Sequence, residues 1–192
     1  HCFANHDRIA ELNLYDGKAD RYFSGSPVPL AEELRTWSLG ETEAISSVTY
    51  PRERPYYVEL SPEKTLPYEL ETIEIDTCYN KIFTQEMVAG HWKMASQSLN
   101  SVILSQSMAI KIFGNAESAI GKHMTLMRRL NTSPESTPKT GGIVYTIQAV
   151  MKDIPLNNSL DFMQNIDMLT VNDSEGLLQS PKRHNMTGAN TY

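Results

Sequence analysis

Residues 101–126, SVILSQSMAIKIFGNAESAIGKHMTL, constrain the fold more than any other stretch of the chain. Ser101 to Leu104 is a β-rich apolar run, and Ser105 stands where a following helix needs a side chain to accept an orphan N–H from its first turn. Met108, Ala109, Ile112 and Phe113 then recur along one side of two helical turns. Gly114 supplies the residue that most readily takes the left-handed conformation ending a helix. A second β-rich run follows from His123 to Leu126. This spacing predicts a strand, a capped helix over 106–113 and another strand. The unit carries no nucleophile–base pair, no metal spacing and no phosphate-binding loop.

The remaining elements are shorter. Ile9, Leu12 and Leu14 suggest a first strand within 7–15, followed by a polar loop to Ser26. Ser26-Pro27 reads as a helix start, and Leu30, Leu34 and Trp37 fall at i, i+4 and i+7, one apolar face of a helix ending near Gly40. Strands are expected over 45–50 and around Tyr56, Val58 and Leu60, and the two are expected to hairpin. A strand over 66–75 places Ile73 and Ile75 on one face, 79–83 reads as one helical turn, and Val88-Ala89-Gly90 as the loop that leaves it. Residues 143–151 alternate, which turns Ile143, Tyr145, Ile147, Ala149 and Met151 the same way. A last strand is expected within 160–170, and 128–142 is a long polar connection of the kind that often carries contacts. Many short strands, two substantial helices and no βαβ alternation make the class α+β.

Composition narrows the function classes. The chain has 192 residues, 17 basic and 23 acidic, and the net charge of −6 is spread without a basic block. That argues against nucleic acid as a partner. The mean hydropathy is −0.38, and no uncharged apolar run approaches the ~20 residues of a membrane helix. Position 1 is histidine, which reads as a piece cut from a longer protein. Cys2 and Cys78 are read as two unpaired thiols.

His1 and His6 lie near the start, and His91, His123 and His184 are isolated, without the companions that make metal spacing specific. There is no G-x-S-x-G elbow or S-x-x-K motif. Glu32-Glu33, Glu41-Glu43 and Glu69-Glu71-Glu74 are spaced as solvated faces. Trp37 is assigned to the core by its helical phase, which leaves Trp92 as the aromatic side chain open for contact. Asn131, Asn157, Asn172 and Asn185 each begin a weak N-x-S/T triplet. No catalytic, cofactor-binding or metal-binding residue is assigned.

Val102-Ile103-Leu104-Ser105, Ala109, Ile112-Phe113-Gly114 and Ile120-Gly121-Lys122 resemble, in this order, the signature of the MacB-like periplasmic core domain of ABC transporter permeases. Tyr145 to Val150, then Asp153-Ile154-Pro155 and Ser159, look like the strand and turn that follow it. Asn5 to Ile9, and Ile82-Phe83 with Ala89-Gly90, are similar to upstream segments. Ala149 departs from the pattern, standing where the family usually has glycine.

The resemblance implies two lobes. A membrane-proximal, porter-like α/β lobe would comprise 1–66 and 156–192, incomplete at its C-terminus, with a smaller mixed α/β lobe of 67–155 inserted in it. It also implies a non-catalytic extracytoplasmic domain of an inner-membrane permease, without cofactor or metal. Such a domain couples cytoplasmic ATP hydrolysis to export or efflux. Its implied partners are a second permease copy, a cytoplasmic ATP-binding subunit and a periplasmic adaptor protein, and 128–142 is the candidate contact segment. The alternative is a free-standing secreted module that binds a ligand or glycan through Trp92 and the 128–142 segment. A hydrolase with carboxylates drawn from distant segments is a third reading, with no local motif behind it.

Overall fold

The computed structural model describes residues 6–171 apart from 24–27, 38–39, 41, 62, 99, 127–142, 155–162 and 164. The expectations for Cys2, the 128–142 segment, Ser26-Pro27, His184 and the four N-x-S/T asparagines therefore lie outside the described residues. The chain is α+β, dominated by its sheet.

Two short strands, β1 (Leu14–Asp16) and β2 (Arg21–Phe23), form an antiparallel hairpin of their own. The Asp16 carboxylate accepts the Lys18 N–H at 2.9 Å and closes the turn within what the sequence reads as a loop. The first helix, α1, is Val28–Thr36.

All other described strands join one sheet: β3 (Arg52–Ser61), β4 (Lys64–Ile75), β5 (Met87–Gly90), β6 (Ser101–Ser105), β7 (His123–Leu126), β8 (Ile143–Met151) and β9 (Met168–Val171). Their order is β5-β8-β6-β9-β4-β3-β7, and β7 also pairs with β8. That extra pairing closes six strands into a ring and leaves β5 attached outside it. The β4–β9 and β6–β8 pairs are parallel, and the rest are antiparallel. Closure pairs each ring strand on both sides over part of its length and so reduces the free edge that a sheet otherwise exposes.

Every strand of the ring sends a side chain inward. Tyr56, Val58, Leu70, Val102, Leu104, Met124, Tyr145, Ile147 and Met168 form one buried cluster. Helix α4 (Gln106–Phe113) packs Met108, Ala109 and Ile112 against it. The outer face carries Ile73, Ile75, Ile103, Ala149, Met151, Leu169 and Val171. Tyr79 and Phe83 cover it from and just after α2 (Tyr79–Ile82), as does Ala95 from α3 (Trp92–Gln97).

The strand–cap–helix unit forms as its sequence predicts. Ser105 has an extended backbone, and its Oγ accepts the Met108 N–H at 3.3 Å. Gly114 ends α4 in the left-handed region at φ 86°, and its N–H donates to the Ile110 carbonyl at 2.9 Å. Ser105→Ala is expected to lower the unfolding free energy by about 1 kcal/mol, the usual worth of such a cap. Urea denaturation checks it through a lower midpoint at unchanged slope.

Several expectations are corrected. Residues 45–50 form no strand of their own but make one bridge, Val48 to Ile75, and the hairpin partner of β3 is β4. Met87–Gly90 is strand β5 rather than a loop, and Trp92–Gln97 is a helix that the polar sequence conceals. The β6–β8 register shifts so that Val102 faces Ile147 while Ile103 faces Ala149, with Gln148 as the extra residue. That bulge reverses the facing of the strand. Tyr145 and Ile147 therefore point into the ring, while Ala149 and Met151 point to the outer face.

Candidate functional site

Among the described residues, no three His, Cys, Asp or Glu side chains gather as a metal ion requires. His91 precedes α3 without a side-chain capping bond, and His123 places Nδ1 3.2 Å from Thr146 Oγ1 on the surface. Cys78 is half-buried with a free thiol. Of the acidic runs, Glu33, Glu43 and Glu69 are exposed, Glu71 is half-buried, and Glu74 is buried inside the ring.

The two tryptophans exchange the roles the sequence suggests. Trp37 lies just past the end of α1 and is 55% exposed. Trp92 stacks on buried Tyr79 at a centroid distance of 5.8 Å and packs on the outer-face core. Helical phase alone placed Trp37, but α1 ends at Thr36, one residue too early to carry it inward.

Among the described residues, the buried charged side chains, Glu74 and Asp76, lie at the end of β4. Arg54 Nη2 donates to Glu74 Oε1 at 2.6 Å within the ring. Nearby, burial pushes the Tyr145 hydroxyl up to about 12, so it stays protonated. Burial also raises the Tyr56 hydroxyl, while Thr72 and Thr170 pull the other way. A part-buried ion pair with neutral phenols near it favours one arrangement of the ring interior.

Two residues on, Asp76 is 1% exposed and accepts four hydrogen bonds. The Arg35 guanidinium donates to Oδ2 as an ion pair, and the Ser47 N–H donates to the same oxygen at 2.6 Å. Ser46 Oγ and the Cys78 N–H each donate to Oδ1 at 2.9 Å. Arg35 Nε also reaches the Ile45 carbonyl at 2.9 Å. This one carboxylate thus ties the last turn of α1, the 45–47 segment, the end of β4 and the start of α2. Sequence reasoning missed it, because its charged partner, Arg35, is 41 positions away.

The Ile120-Gly121-Lys122 motif has a definite task. The Gly121 N–H donates to the Ile147 carbonyl at 2.8 Å, and the Ile147 N–H donates back to the Lys122 carbonyl at 2.9 Å. The motif therefore pins β8 immediately before its bulge. Gly121 reaches that geometry at φ 78°, where a side chain is strained.

An acidic group lies on the ring where Glu53 faces Glu71 across β3 and β4, with Asp167 beside them. The Glu71 N–H donates to Asp167 Oδ2 at 2.9 Å. Burial raises both carboxyls, with Glu53 and Asp167 adding to the effect on Glu71, and Asp153 adding to that on Asp167. A carboxyl raised in the folded state binds protons more tightly than in the unfolded chain. These two groups therefore lose stability as pH climbs through the carboxylate range and regain it on acidification. Glu71→Gln is expected to match wild type near pH 3 and to melt slightly higher near pH 7; a melting series across that range checks it.

Neither a family model nor a curated protein matches the sequence. Solved structures do match. A domain of a Porphyromonas gingivalis protein classed as a permease superposes with a TM-score of 0.56 at 24% identity, covering 81% of this chain and 63% of that one. The periplasmic region of MacB from Actinobacillus actinomycetemcomitans matches at TM-score 0.47 and 16% identity, over 88% of this chain and 65% of the other. The extracellular domain of the noncanonic ABC-type transporter YknZ from Gram-positive bacteria matches at 0.45 and 14%, over 78% and 63%. The chain spans less than two thirds of each of these domains. None of its described helices is long and apolar enough to cross a membrane. The 0.56 superposition shows that the chain has the fold of the Porphyromonas gingivalis permease domain, in keeping with the order of the sequence motifs.

Proposed function

We propose that the chain is the extracytoplasmic, periplasmic-side domain of an inner-membrane ABC transporter permease. It performs no catalysis and couples ATP hydrolysis in the cytoplasm to export or efflux. Two copies would work against each other, with an ATP-binding subunit below the membrane and, in Gram-negative cells, a periplasmic adaptor protein above it. The permease-domain superposition over 81% of the chain carries this reading. A closed, pinned and capped sheet supports it, since force passes through a stiff body with little loss. The division into two lobes belongs to the same proposal, with 128–142 as the candidate adaptor contact. The secreted-module alternative has lost its main support, because Trp92 is packed on Tyr79.

Protease accessibility in the native host tests the reading. A cleavage sequence inserted in the exposed turn at Lys18 is expected to be cut by protease added to spheroplasts, with the products retained in the membrane fraction. Protection until lysis, or release of the protein into the medium, would contradict it.

A further inference from the structure

We infer that Asp76 and Arg35 form the joint that passes movement between the N-terminal segment and the closed sheet; this deepens, and rests on, the permease reading. Strands β1 and β2 pair with each other and with no other described strand. Leu30 and Leu34 of α1 are only half-buried. Among the described residues, polar contacts from the segment to the sheet gather on three consecutive residues at the end of β4. The Thr49 N–H donates to the Glu74 carbonyl at 2.9 Å, and the Glu74 N–H donates to Thr49 Oγ1 at 2.9 Å. Val48 bridges Ile75. The Asp76 N–H donates to the Ser47 carbonyl at 3.3 Å, while its carboxylate takes Arg35, Ser46 and Ser47.

The chemistry suits a joint. An apolar seam permits sliding at little cost, because dispersion and burial are non-directional. A buried carboxylate with four donors holds each of them in direction as well as distance. The same residue accepts the Tyr79 N–H through its backbone carbonyl at 3.2 Å, so a displacement of α1 reaches both β4 and α2. Arg35 is the long lever of this arrangement: it sits in the last turn of α1 and is partly exposed, while Asp76 is fixed.

The test uses the full-length parent in nanodiscs with its ATP-binding subunit. Cys2 and Cys78 are replaced by serine, and one spin label is placed at exposed position 64 through Lys64→Cys, which reports the distance between two copies. Wild type is expected to change that distance on trapping with MgATP and vanadate. Arg35→Gln is expected to cut the change to less than about half at an unchanged ATPase rate, and Arg35→Lys to keep it. An Arg35→Gln protein that moves as far as wild type overturns the joint. So does a loss of movement accompanied by faster amide exchange throughout β3 to β9, which would mean general unfolding. A wild-type parent that shows no nucleotide-dependent movement overturns the permease reading, and the joint falls with it.

Discussion

Gly90→Ala is expected to cost about 2–5 kcal/mol, combining a left-handed backbone penalty with an overpacking penalty. Gly90 lies at the end of β5 at φ 69°, opposite Ala149 of β8. A Cβ there would sit 2.3 Å from the Gln148 carbonyl oxygen and 2.8 Å from the Ala149 Cα. Both are backbone atoms, and they belong to the bulge that the ring is built around, so neither can swing aside as a flexible side chain could. Gly114→Ala is the informative control. Its φ is 86°, but nothing lies within 4 Å of the added methyl, so only the left-handed backbone penalty of about 1–2 kcal/mol applies. Urea midpoints for the two variants separate crowding from backbone strain. Equal losses would show that the close approach of β5 to β8 is not real.

Asp76→Ala is expected to cost about 3–5 kcal/mol, the range for removing one partner of a buried charge pair. The loss exceeds one ion pair, because Arg35, Ser46 Oγ and the Ser47 and Cys78 N–H groups would all lose their acceptor together. Burying donors without partners is the dominant cost. Amide exchange should locate the damage, with protection falling first at 45–49 and α2 while β6 and α4 hold. A variant that loses less than about 1 kcal/mol would mean that water replaces the carboxylate without penalty.

Local signals were legible wherever cause and effect are close in the chain. Ser105 and Gly114 bracket α4, and both act on N–H or carbonyl groups within four residues, so the helix could be read to its ends. The same holds for the β4 facing of Ile73 and Ile75 and for the single turn at 79–82. The bulge at Gln148 was not legible, because alternation assumes that no residue is extra; the shift appears only once β6 is laid beside β8. Strand β5 looked like a loop because it is four residues long and ends in glycine, and its pairing is supplied by β8, some sixty positions later. Ring closure depends on β7 meeting two strands, β3 and β8, from distant parts of the chain. Asp76 stayed hidden for the same reason: its donors other than Cys78 come from residues 29 to 41 positions away. The ordered motif set succeeded where local reading stopped, since it carries the long-range arrangement of a whole fold.

Hydropathy across the complete open reading frame tests most directly the proposal that this domain belongs to a membrane permease. One apolar helix of ~20 residues ending just before residue 1 and about three more after residue 192 are expected. A cleavable signal peptide upstream, with a stop codon soon after residue 192, would contradict it. The chain would then be a secreted module that shares the fold of a permease domain without its mechanical task.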